Sequence, residues 1–476
     1  MMNYIPNTDG DRAAMLETIG VASVADLFHD VPASHRFPEL QLPEPVSEYE
    51  ILQELQMLSA DGADTSTYAC FLGAGAYNHF VPSIVDAVIS RSEFYTAYTP
   101  YQAEISQGTL QAIFEYQSMI CALTGMEVSN ASHYDGATAV AEAVIMAANV
   151  GRLKRKQVLF SHNVHPQSRP LTRTYTQGME IEITGDAEGA DLDHLEALID
   201  RGTAAVVVQT PDFLGQVYSP TRLRQLADAA HAAGALFIVV ADPISLALFQ
   251  PPATYGADIV CGEGQALGSS LNFGGPLLGF FACKMEHVRR SAGRIAGETV
   301  DVNGNRGYVL TLSTREQHIK RERATSNICT NVALVALSAA VYMSAMGKNG
   351  MRQVAELCYH KAHYAAQEIA QRTAFEVLDR GTFFKEFVVR SPRPIAEVNQ
   401  HLLAEYGVIG GYDLTCDYPE LGNAMLLCVT ETVARRDIDA LVEALVELSA
   451  HAPHEDEAEA IPGVMESIEI ELEVIP

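Results

Sequence analysis

A short stretch ahead of a predicted helix carries the side chains best suited to line a binding pocket. Around the turn signal Thr99-Pro100, it gathers phenol, amide and carboxyl groups: Tyr95, Tyr98, Tyr101, Gln102, Glu104 and Gln107. Each buried polar tip needs a hydrogen-bond partner, so such a loop suits a binding site or an interface. A solvated surface loop decorated with tyrosines is an equally open interpretation of its composition.

Basic side chains are concentrated in one segment of an otherwise acidic chain. The formal net charge is −29, which argues against nucleic acid and anionic membrane surfaces as partners, since both bind basic patches. Within 298–331, however, the chain places a basic cluster: Arg306, Arg315, His318, Lys320, Arg321 and Arg323. This reversal of sign indicates contact with carboxylates, a phosphate or an acidic partner. A salt-bridged helix face is the alternative for any one of these residues.

The elements that must position these groups follow a pattern of alternating strands and helices. Short apolar runs predict strands at 158–160, 179–183, 204–209, 236–241, 258–261 and 279–283. Such strands, alternating with Ala-rich helices, predict an α/β fold with a mostly parallel sheet that is covered on both faces. Ligands of such sheets bind beyond the carboxyl ends of the strands.

Four segments are predicted along the chain. They are a helical arm at 1–65, a large α/β domain at 66–331, a helical connection with a small C-terminal α/β domain at 332–449, and an acidic tail at 450–476. Residues 467–474 of the tail alternate as an edge strand would. We expect no bilayer span and no secretory signal. The eight cysteines are dispersed, without a CxxC pair, which suits reduced thiols in a cytoplasmic protein.

Three polar residues lie where elements of the predicted sheet begin or end. Asp135 opens a helix, His165 follows the strand at 158–160, and Asp242 ends the strand at 236–241. The layout resembles that of fold-type-I enzymes, which use pyridoxal phosphate (PLP). Such enzymes need a helix N-terminus for the phosphate, a His or aromatic ring over the cofactor, an Asp at the pyridine nitrogen and a Lys that holds the aldehyde as a Schiff base. The Lys that should follow Asp242 is missing.

Longer motifs around these residues point to one family. They are YTPYQAEISQG at 98–108, ASHYDGATAVAEA at 131–143, VVVQTPDFLG at 206–215, DIVCGEGQALG at 258–268 and LTLSTREQHIKRERATSNICTN at 310–331. Together they resemble the alpha type of the two-subunit glycine dehydrogenases (decarboxylating), the P-proteins of the glycine cleavage system. The resemblance runs from about residue 3 to 448. One motif departs from the family, because Asp212 stands where Asn is expected, which leaves the hydrogen bonds of that position open.

The resemblance implies an enzyme of alpha and beta chains, a glycine dehydrogenase (aminomethyl-transferring) assembled as alpha2beta2. PLP would be held by the beta subunit, glycine would lose CO2, and the aminomethyl group would pass to the lipoyl arm of the H-protein. In this chain Gln265-Ala266 stands where the beta type has His-Lys, and Asp135 replaces a Ser that contacts the phosphate. Alanine forms no Schiff base, and a carboxylate beside a phosphate is repelled by about several kcal/mol.

These departures assign roles to the polar residues. We expect no catalytic residue and no covalently held cofactor in this chain, which leaves four vestigial cofactor positions: Asp135, His165, Asp242 and Ala266. The tyrosine loop, from Tyr95 to Gln107, is the first candidate to wall the partner's PLP–glycine pocket. Arg315 and His318 are further candidates for that pocket or for the interface.

Alternatives remain for the function and for two histidines. A free-standing PLP-dependent aminotransferase or lyase would need an unusual attachment amine, for which Lys284 is the candidate. A purely structural partner would contribute no pocket residue at all. His162 and His165 could suggest a metal site, but the nearby sequence supplies no third ligand, so no metal is expected.

Overall fold

The computed structural model describes residues 6–272 and 274–450. The chain separates into two compact units, Met1–Ala63 and Asp64–Pro476. The edge strand predicted at 467–474 lies outside the described residues. Among the residues described, no helix combines the length and the apolar character that crossing a bilayer requires.

The first unit is a helical segment. Its elements, in order, are α1 (Asp9–Ile19), 3-10 turns at Val24–Phe28 and Ala33–His35, and α2 (Glu48–Ala60). Each α-helix begins at a capping box, in which Thr8 pairs with Asp11 and Ser47 pairs with Glu50; such boxes satisfy free N–H groups of the first turn. Several apolar side chains of α2 are exposed: Ile51, Leu52, Leu55, Met57 and Leu58.

The second unit contains two main sheets and the helices that cover them. Its strands are β1 (Ala69–Cys70), β2 (Val128–Ser129), β3 (Gln157–Phe160), β4 (Glu182–Thr184), β5 (Thr203–Thr210), β6 (Leu236–Ala241), β7 (Ile259–Glu263), β8 (Gly279–Cys283), β9 (Ile295–Val300), β10 (Arg306–Thr311), β11 (Glu376–Val377), β12 (Glu386–Arg390), β13 (Val408–Ile409), β14 (Tyr412–Asp413) and β15 (Ala424–Cys428). Its helices are α3 (Ser83–Ile89), α4 (Ser92–Tyr95), α5 (Gln107–Thr124), α6 (Gly136–Val150), α7 (Ser168–Thr176), α8 (Leu192–Ala197), α9 (Pro220–Ala233), α10 (Gln317–Lys320), α11 (Ala333–Arg372), α12 (Ile395–Tyr406) and α13 (Arg435–Ala450).

The large sheet has seven strands in the order β2-β8-β7-β6-β5-β3-β4. Strands β7, β6, β5, β3 and β4 run parallel to one another. At one edge, β8 is antiparallel to β7, and β2 is antiparallel to β8. The predicted α/β fold with a mostly parallel sheet is therefore confirmed.

One predicted strand is wrong at its start. The apolar run predicted a strand from Met179, but β4 begins only at Glu182. Glu180 has a left-handed backbone, with φ of 54°, which interrupts an extended strand. The chain therefore completes a turn after α7 before it enters the sheet.

The apolar runs arise because the strands feed a core on each face of the sheet. On β5, Val206 and Val208 belong to a cluster that includes Leu223 of α9, whereas Val207 belongs to a second cluster that includes Val144 of α6. Successive side chains of a strand point to opposite faces. A strand covered on both faces is therefore apolar at consecutive positions, as Val206, Val207 and Val208 are.

The smaller sheet is antiparallel and lies toward the C-terminus. Its order is β11-β12-β15-β14, and α12 and α13 share one buried cluster with its strands. Helix α11 contributes Ala362 and Ala366 to the same cluster, after a break at Gly347, whose φ is 58°. The backbone N–H of Val217 donates to the Thr382 carbonyl at 2.7 Å, so the loop that follows β5 is connected to the segment that enters β12.

Two neighbouring leucines of α12 give a matched test of the C-terminal core. Leu402 is fully buried, whereas 43% of Leu403 is exposed. We expect Leu402→Ala to lower the free energy of unfolding by about 2–5 kcal/mol, because the substitution leaves a cavity. Leu403→Ala should change it by less than about 0.5 kcal/mol. Urea denaturation of both variants measures the difference, and equal effects would contradict this packing.

Candidate functional site

A cleft lies beyond the carboxyl ends of β5, β6 and β7, where the large sheet faces the start of β12. Its cavity volume is about 320 Å³. Three of the four predicted cofactor positions, Asp135, His165 and Asp242, line the cleft together. The fourth, Ala266, is buried, with 2% of its surface exposed. Loop 74–77 and the residues that lead into β12 complete much of the lining: Ala74, Gly75, Ala76, Tyr77, Phe384, Lys385 and Glu386.

The N-terminus of α6 is satisfied by carboxylates of this chain. Asp135 is the N-cap, and its side chain accepts a hydrogen bond from the Thr138 N–H at 2.7 Å. Oε2 of Glu263 accepts from the Gly136 N–H at 2.8 Å, and a Cβ at Gly136 would lie 2.7 Å from the Glu263 nitrogen. The free N–H groups of a helix N-terminus are common phosphate ligands. Here two of them already have carboxyl oxygens of this chain as acceptors.

Asp242, at the end of β6, is paired with a lysine from the C-terminal part of the chain. Its Oδ2 lies 2.6 Å from Nζ of Lys385, and the two side chains are 10% and 2% exposed. Its Oδ1 accepts hydrogen bonds from the backbone N–H groups of Ile244 and Ser245 at 2.8 and 3.0 Å. Burial alone would raise the pKa of Asp242, but the Lys385 ammonium lowers it, and the net shift is downward. Asp242 is therefore an ionised carboxylate.

Lys385 has two further partners in the cleft. Its Nζ donates to Nε2 of His79 at 3.1 Å and lies 3.4 Å from the centre of the Tyr77 ring, a cation–π contact. Burial alone would lower the pKa of Lys385, but the Asp242 carboxylate raises it, and the net shift is upward. Lys385 is therefore held as an ammonium that contacts Asp242, His79 and Tyr77.

A buried hydrogen-bond network continues from His79. Because Nε2 of His79 accepts from Lys385, the ring proton lies on Nδ1, which donates to Oε2 of Glu431 at 2.6 Å. Burial alone would raise the pKa of Glu431, but this hydrogen bond lowers it to about 2. One possible ligand atom each from Cys358, His79 and Glu431 lies within 4.8 Å of the others, which is close enough to hold a metal ion. Both ring nitrogens of His79 are already engaged, which favours a hydrogen-bond network over a metal site.

His165 is fixed by loop 74–77. Its Nε2 lies 2.9 Å from the Ala74 carbonyl oxygen, and its Nδ1 accepts from the Gln167 N–H at 3.2 Å. Burial lowers the pKa of His165, so the ring is neutral with its proton on Nε2. Gly75 has φ of 107°, and a Cβ there would lie 2.7 Å from Nε2 of His165. Glycine therefore lets the loop approach the ring.

Gln265-Ala266 has a structural role at the position where the resemblance places His-Lys. The Gln265 amide accepts from the Tyr77 N–H at 2.9 Å and donates to the Tyr77 carbonyl at 3.0 Å. Gln265 is 1% exposed. The pair therefore fastens loop 74–77 to the sheet and offers no amine to the cleft.

The residues of the cleft do not fit pyridoxal phosphate. Asp135 and Glu263 place carboxyl groups where a phosphate would need donors. Lys385 holds the carboxylate that a pyridine nitrogen would need. Position 266 supplies no amine for the aldehyde. The phosphate, the ring nitrogen and the aldehyde are thus each opposed by a different residue.

The tyrosine loop lies outside this cleft. Tyr95 and Tyr98 are 69% and 83% exposed, and they line a second cavity of about 240 Å³ together with Thr330 and Asn331. The Tyr101 hydroxyl accepts a hydrogen bond from the buried Arg294 at 3.1 Å. The structure thus separates the tyrosines from the predicted cofactor positions that line the cleft.

The remaining loop residues divide between solvent and the neighbouring strand. Gln102 and Glu104 are exposed. The Gln107 amide donates to the Tyr308 carbonyl and accepts from the Tyr308 N–H, both at 2.8 Å. Gln107 therefore ties the start of α5 to β10 rather than pointing to an empty pocket.

Arg315 and His318 are placed differently from each other. Arg315 is 9% exposed and donates to the Leu312 and Gly293 carbonyls at 3.1 and 2.9 Å, so it supports the backbone. The half-exposed His318 ring is centred 6.1 Å from the Tyr101 ring, and its Nδ1 lies 3.7 Å from Glu316. His318 therefore lies next to Tyr101 of the tyrosine loop, whereas Arg315 binds backbone carbonyls of residues 293 and 312.

Two sequence questions receive structural answers. Lys284 pairs with Asp258 at 2.5 Å, and it is not part of the cleft lining. Asp212 accepts hydrogen bonds from the Asn163 amide at 2.9 Å, the Tyr218 hydroxyl at 2.8 Å and the Gln216 N–H at 2.8 Å. The carboxyl group of Asp212 therefore has three hydrogen-bond donors at the position where the resemblance leads us to expect Asn.

Sequence reasoning missed the cleft residues Lys385, Glu263 and Glu386. The pair Lys385-Glu386 opens a strand whose next residues are apolar, and both side chains are buried. Lys and Glu are almost never fully buried unless they are paired. A charged pair entering an apolar strand was therefore the available signal, although it could not name the partners.

Glu386 predicts a measurable pH dependence. Its Oε1 accepts from the Ala74 N–H at 2.7 Å and its Oε2 from the Tyr77 hydroxyl at 2.8 Å, and burial raises its pKa to about 7. A carboxyl whose pKa is raised on folding favours the folded state at low pH, and this contribution is lost as the pH rises from about 4.5 to 7. Glu386→Gln imitates the protonated acid. We expect the unfolding free energy of the wild type to fall relative to this variant by about 2–3 kcal/mol between pH 5 and pH 8.

Urea titrations of the two proteins at pH 5, 6, 7 and 8 measure this difference. Other acids that titrate in the range, including Glu263, are common to both proteins and cancel in the comparison. A difference that stays constant with pH would contradict a protonated Glu386 in the folded chain.

Known proteins match this chain over nearly all of its length. Residues 2–445 match the family described as "Glycine cleavage system P-protein". Relatives named "Probable glycine dehydrogenase (decarboxylating) subunit 1" are 51% identical in Thermomicrobium roseum and 49% identical in Anoxybacillus flavithermus. The matches cover 94% of this chain in both cases, and 100% and 99% of those relatives.

Solved structures agree with the sequence comparisons. The crystal structure of a glycine decarboxylase (P-protein) of the glycine cleavage system, in inhibitor-bound form, is 42% identical, with a TM-score of 0.85 over 94% of this chain and 100% of that one. A sphingosine-1-phosphate lyase from Burkholderia pseudomallei, 14% identical with a TM-score of 0.63 over 89% of this chain and 96% of that one, shares the fold. The chain therefore belongs to the P-protein family of the glycine cleavage system and is similar throughout to the relatives named subunit 1.

Proposed function

We propose that this chain is the alpha subunit of glycine dehydrogenase (decarboxylating) and that it acts with a beta subunit that holds PLP. The complex decarboxylates glycine and transfers the aminomethyl group to the lipoyl arm of the H-protein. One observation carries the division of labour: the family match includes every residue that lines the cleft, yet the chain has Gln265-Ala266 where the resemblance indicates an attachment lysine. Chemistry that requires a Schiff base must then take place in a partner chain.

Exposed apolar surface supports the partner subunit and an alpha2beta2 assembly. The apolar residues of α2 are exposed, with Leu55 at 58% and Met57 at 66%. In the second unit, Tyr98 and Ile105 are 83% and 77% exposed. Large apolar side chains gathered on a surface are typical of protein–protein contacts. We assign these two surfaces to subunit contacts in a cytoplasmic complex.

The tyrosine loop is proposed to wall the glycine pocket of the beta subunit. Tyr101 is positioned by the buried Arg294 at 3.1 Å, and Arg294 in turn lies 3.6 Å from Glu316. This support fixes Tyr101 while Tyr95, Tyr98, Gln102 and Glu104 remain available to a partner. Gln107, Arg315 and His318 hold or flank the loop, so we assign them to positioning rather than to contact with glycine.

The four-segment organisation remains part of this proposal. The interface would lie on the helical arm at 1–65. The vestigial cofactor positions would lie in the large domain at 66–331, and the second sheet in the C-terminal part at 332–449. The acidic tail at 450–476 has no assigned role. A free-standing aminotransferase or lyase is not favoured, because its candidate amine, Lys284, is paired with Asp258.

A double substitution tests whether the tyrosine loop contributes to the glycine pocket of the beta subunit. In the complex of this chain with its beta subunit, Tyr101→Phe with Glu104→Gln should lower kcat/KM for glycine decarboxylation and aminomethyl transfer at least about tenfold, a loss of about 1.4 kcal/mol. The physical reason is the removal of a fixed hydroxyl and an exposed carboxylate from the pocket wall. Exchange of labelled CO2 into glycine, with H-protein present, measures the reaction.

The matched control removes a phenol hydroxyl elsewhere. Tyr175 lies on α7 and is 40% exposed, and Tyr175→Phe should leave the rate unchanged. Size-exclusion chromatography checks that the double variant still assembles. An assembled double variant with the wild-type rate would refute the proposal that the tyrosine loop walls the glycine pocket. A visible absorbance band of the alpha chain alone with PLP, abolished by borohydride, would instead support the free-standing enzyme.

A further inference from the structure

The buried carboxylate at the centre of the cleft is neutralised by a side chain of the same protein chain. Lys385 places its ammonium 2.6 Å from Oδ2 of Asp242. That is the distance and the charge that a protonated pyridine nitrogen would offer to the same carboxylate, because cofactor enzymes of this fold use an acidic residue as the pyridinium partner. The remaining side of the ammonium faces His79 and the Tyr77 ring.

We propose that Lys385 is a built-in replacement for the pyridinium of the cofactor: its ammonium neutralises Asp242, joins the C-terminal sheet to the large sheet, and closes the cleft to pyridine compounds. The inference concerns the charges of this chain alone and does not rest on the proposed decarboxylase activity. It also differs from the missing attachment amine, since a cleft can lose its Schiff-base lysine and still bind the ring.

The pair of Asp242 and Lys385 connects the two main sheets of the second unit. Asp242 immediately follows β6 of the large sheet, whereas Lys385 immediately precedes β12 of the smaller sheet. Glu386, the next residue, binds Ala74 and Tyr77 of the loop that crosses the cleft. Two consecutive ionisable residues thus bind a strand end and a loop that are far apart in sequence.

The phosphate end of the cleft is closed in the same manner. Glu263 accepts from the Gly136 N–H at the start of α6, and its other oxygen accepts from the Gln265 and Leu278 N–H groups at 2.8 and 2.9 Å. A carboxyl at one end and an ammonium at the other therefore occupy the two charged positions that a phosphorylated pyridine would need. Removing Lys385 alone should reopen only the ring-nitrogen end, so an unphosphorylated ring is the appropriate probe.

A double-mutant cycle tests the pairing. Lys385→Met keeps the length of the side chain and leaves Asp242 buried without its counter-charge, which is strongly destabilising. We expect the Tm of the full-length chain to fall by about 5 °C or more. Asp242→Asn should also lower Tm, whereas the double variant should recover at least half of the summed losses, because no charge is left unpaired. Additive losses would overturn the pairing.

A second lysine–aspartate pair provides the matched control. Lys284 and Asp258 are similarly close, but Lys284 is 34% exposed and lies outside the cleft lining. Lys284→Met should lower Tm by clearly less than Lys385→Met. Equal losses would show that Lys385 is an ordinary salt bridge and would count against the proposal.

A titration with pyridoxine tests the replacement itself. Pyridoxine carries the ring without the phosphate or the aldehyde, so its binding requires neither the phosphate end of the cleft nor an attachment amine. Calorimetry should detect no binding to the wild-type chain at millimolar concentration, and binding to Lys385→Ala, in which the ammonium and its volume are removed; circular dichroism confirms that the variant is folded. Binding to the wild type, or no binding to the folded variant, would overturn the replacement. Neither measurement involves glycine or the beta subunit, so the outcome is independent of the proposed activity.

Discussion

The buried ion pair between Asp242 and Lys385 is the constraint around which the cleft is arranged. Each charge would be strongly destabilising if it were left alone in this environment. Their mutual attraction is supported by two backbone donors on Asp242 and by His79 and Tyr77 on Lys385. The pair therefore fixes where the start of β12 lies relative to the end of β6. Loop 74–77 follows, because Tyr77 and Ala74 bind the neighbouring Glu386.

Burial without a direct counter-charge favours the neutral forms of the other acids in the cleft. Glu263 and Glu386 both have their pKa raised to about 7 by burial, and neither has a dedicated cation as Asp242 has. Ionising all the carboxyl groups around one ammonium would leave a buried excess of negative charge. Asp242 is ionised because Lys385 pairs with it directly, whereas burial raises the pKa of Glu263 and Glu386 by more than their N–H donors lower it.

The sequence predicts the elements of this fold better than their meeting points. Apolar runs placed β5 and β6 correctly, because a strand covered on both faces leaves a local trace, and Asp135 was recognisable as the residue that opens α6. The strand start at Met179 was wrong, since the left-handed turn at Glu180 leaves no mark in the hydrophobic pattern. Arg315 was grouped with exposed basic residues because sequence shows charge and spacing but does not show that backbone carbonyls surround it.

Lys385 shows why the remainder of the site was out of reach. A fold-type-I enzyme carries its attachment lysine some distance after the aspartate at the pyridine nitrogen, and this chain has Ala266 at the position that the resemblance indicates. The lysine that does reach Asp242 comes from the other sheet, and only the fold brings the two together. A chain that keeps Asp242 but holds no ring must neutralise that carboxylate in another way, whereas an alanine at position 266 leaves nothing to satisfy. The loss of the attachment lysine therefore needs no compensation in the cleft, and the retained aspartate does.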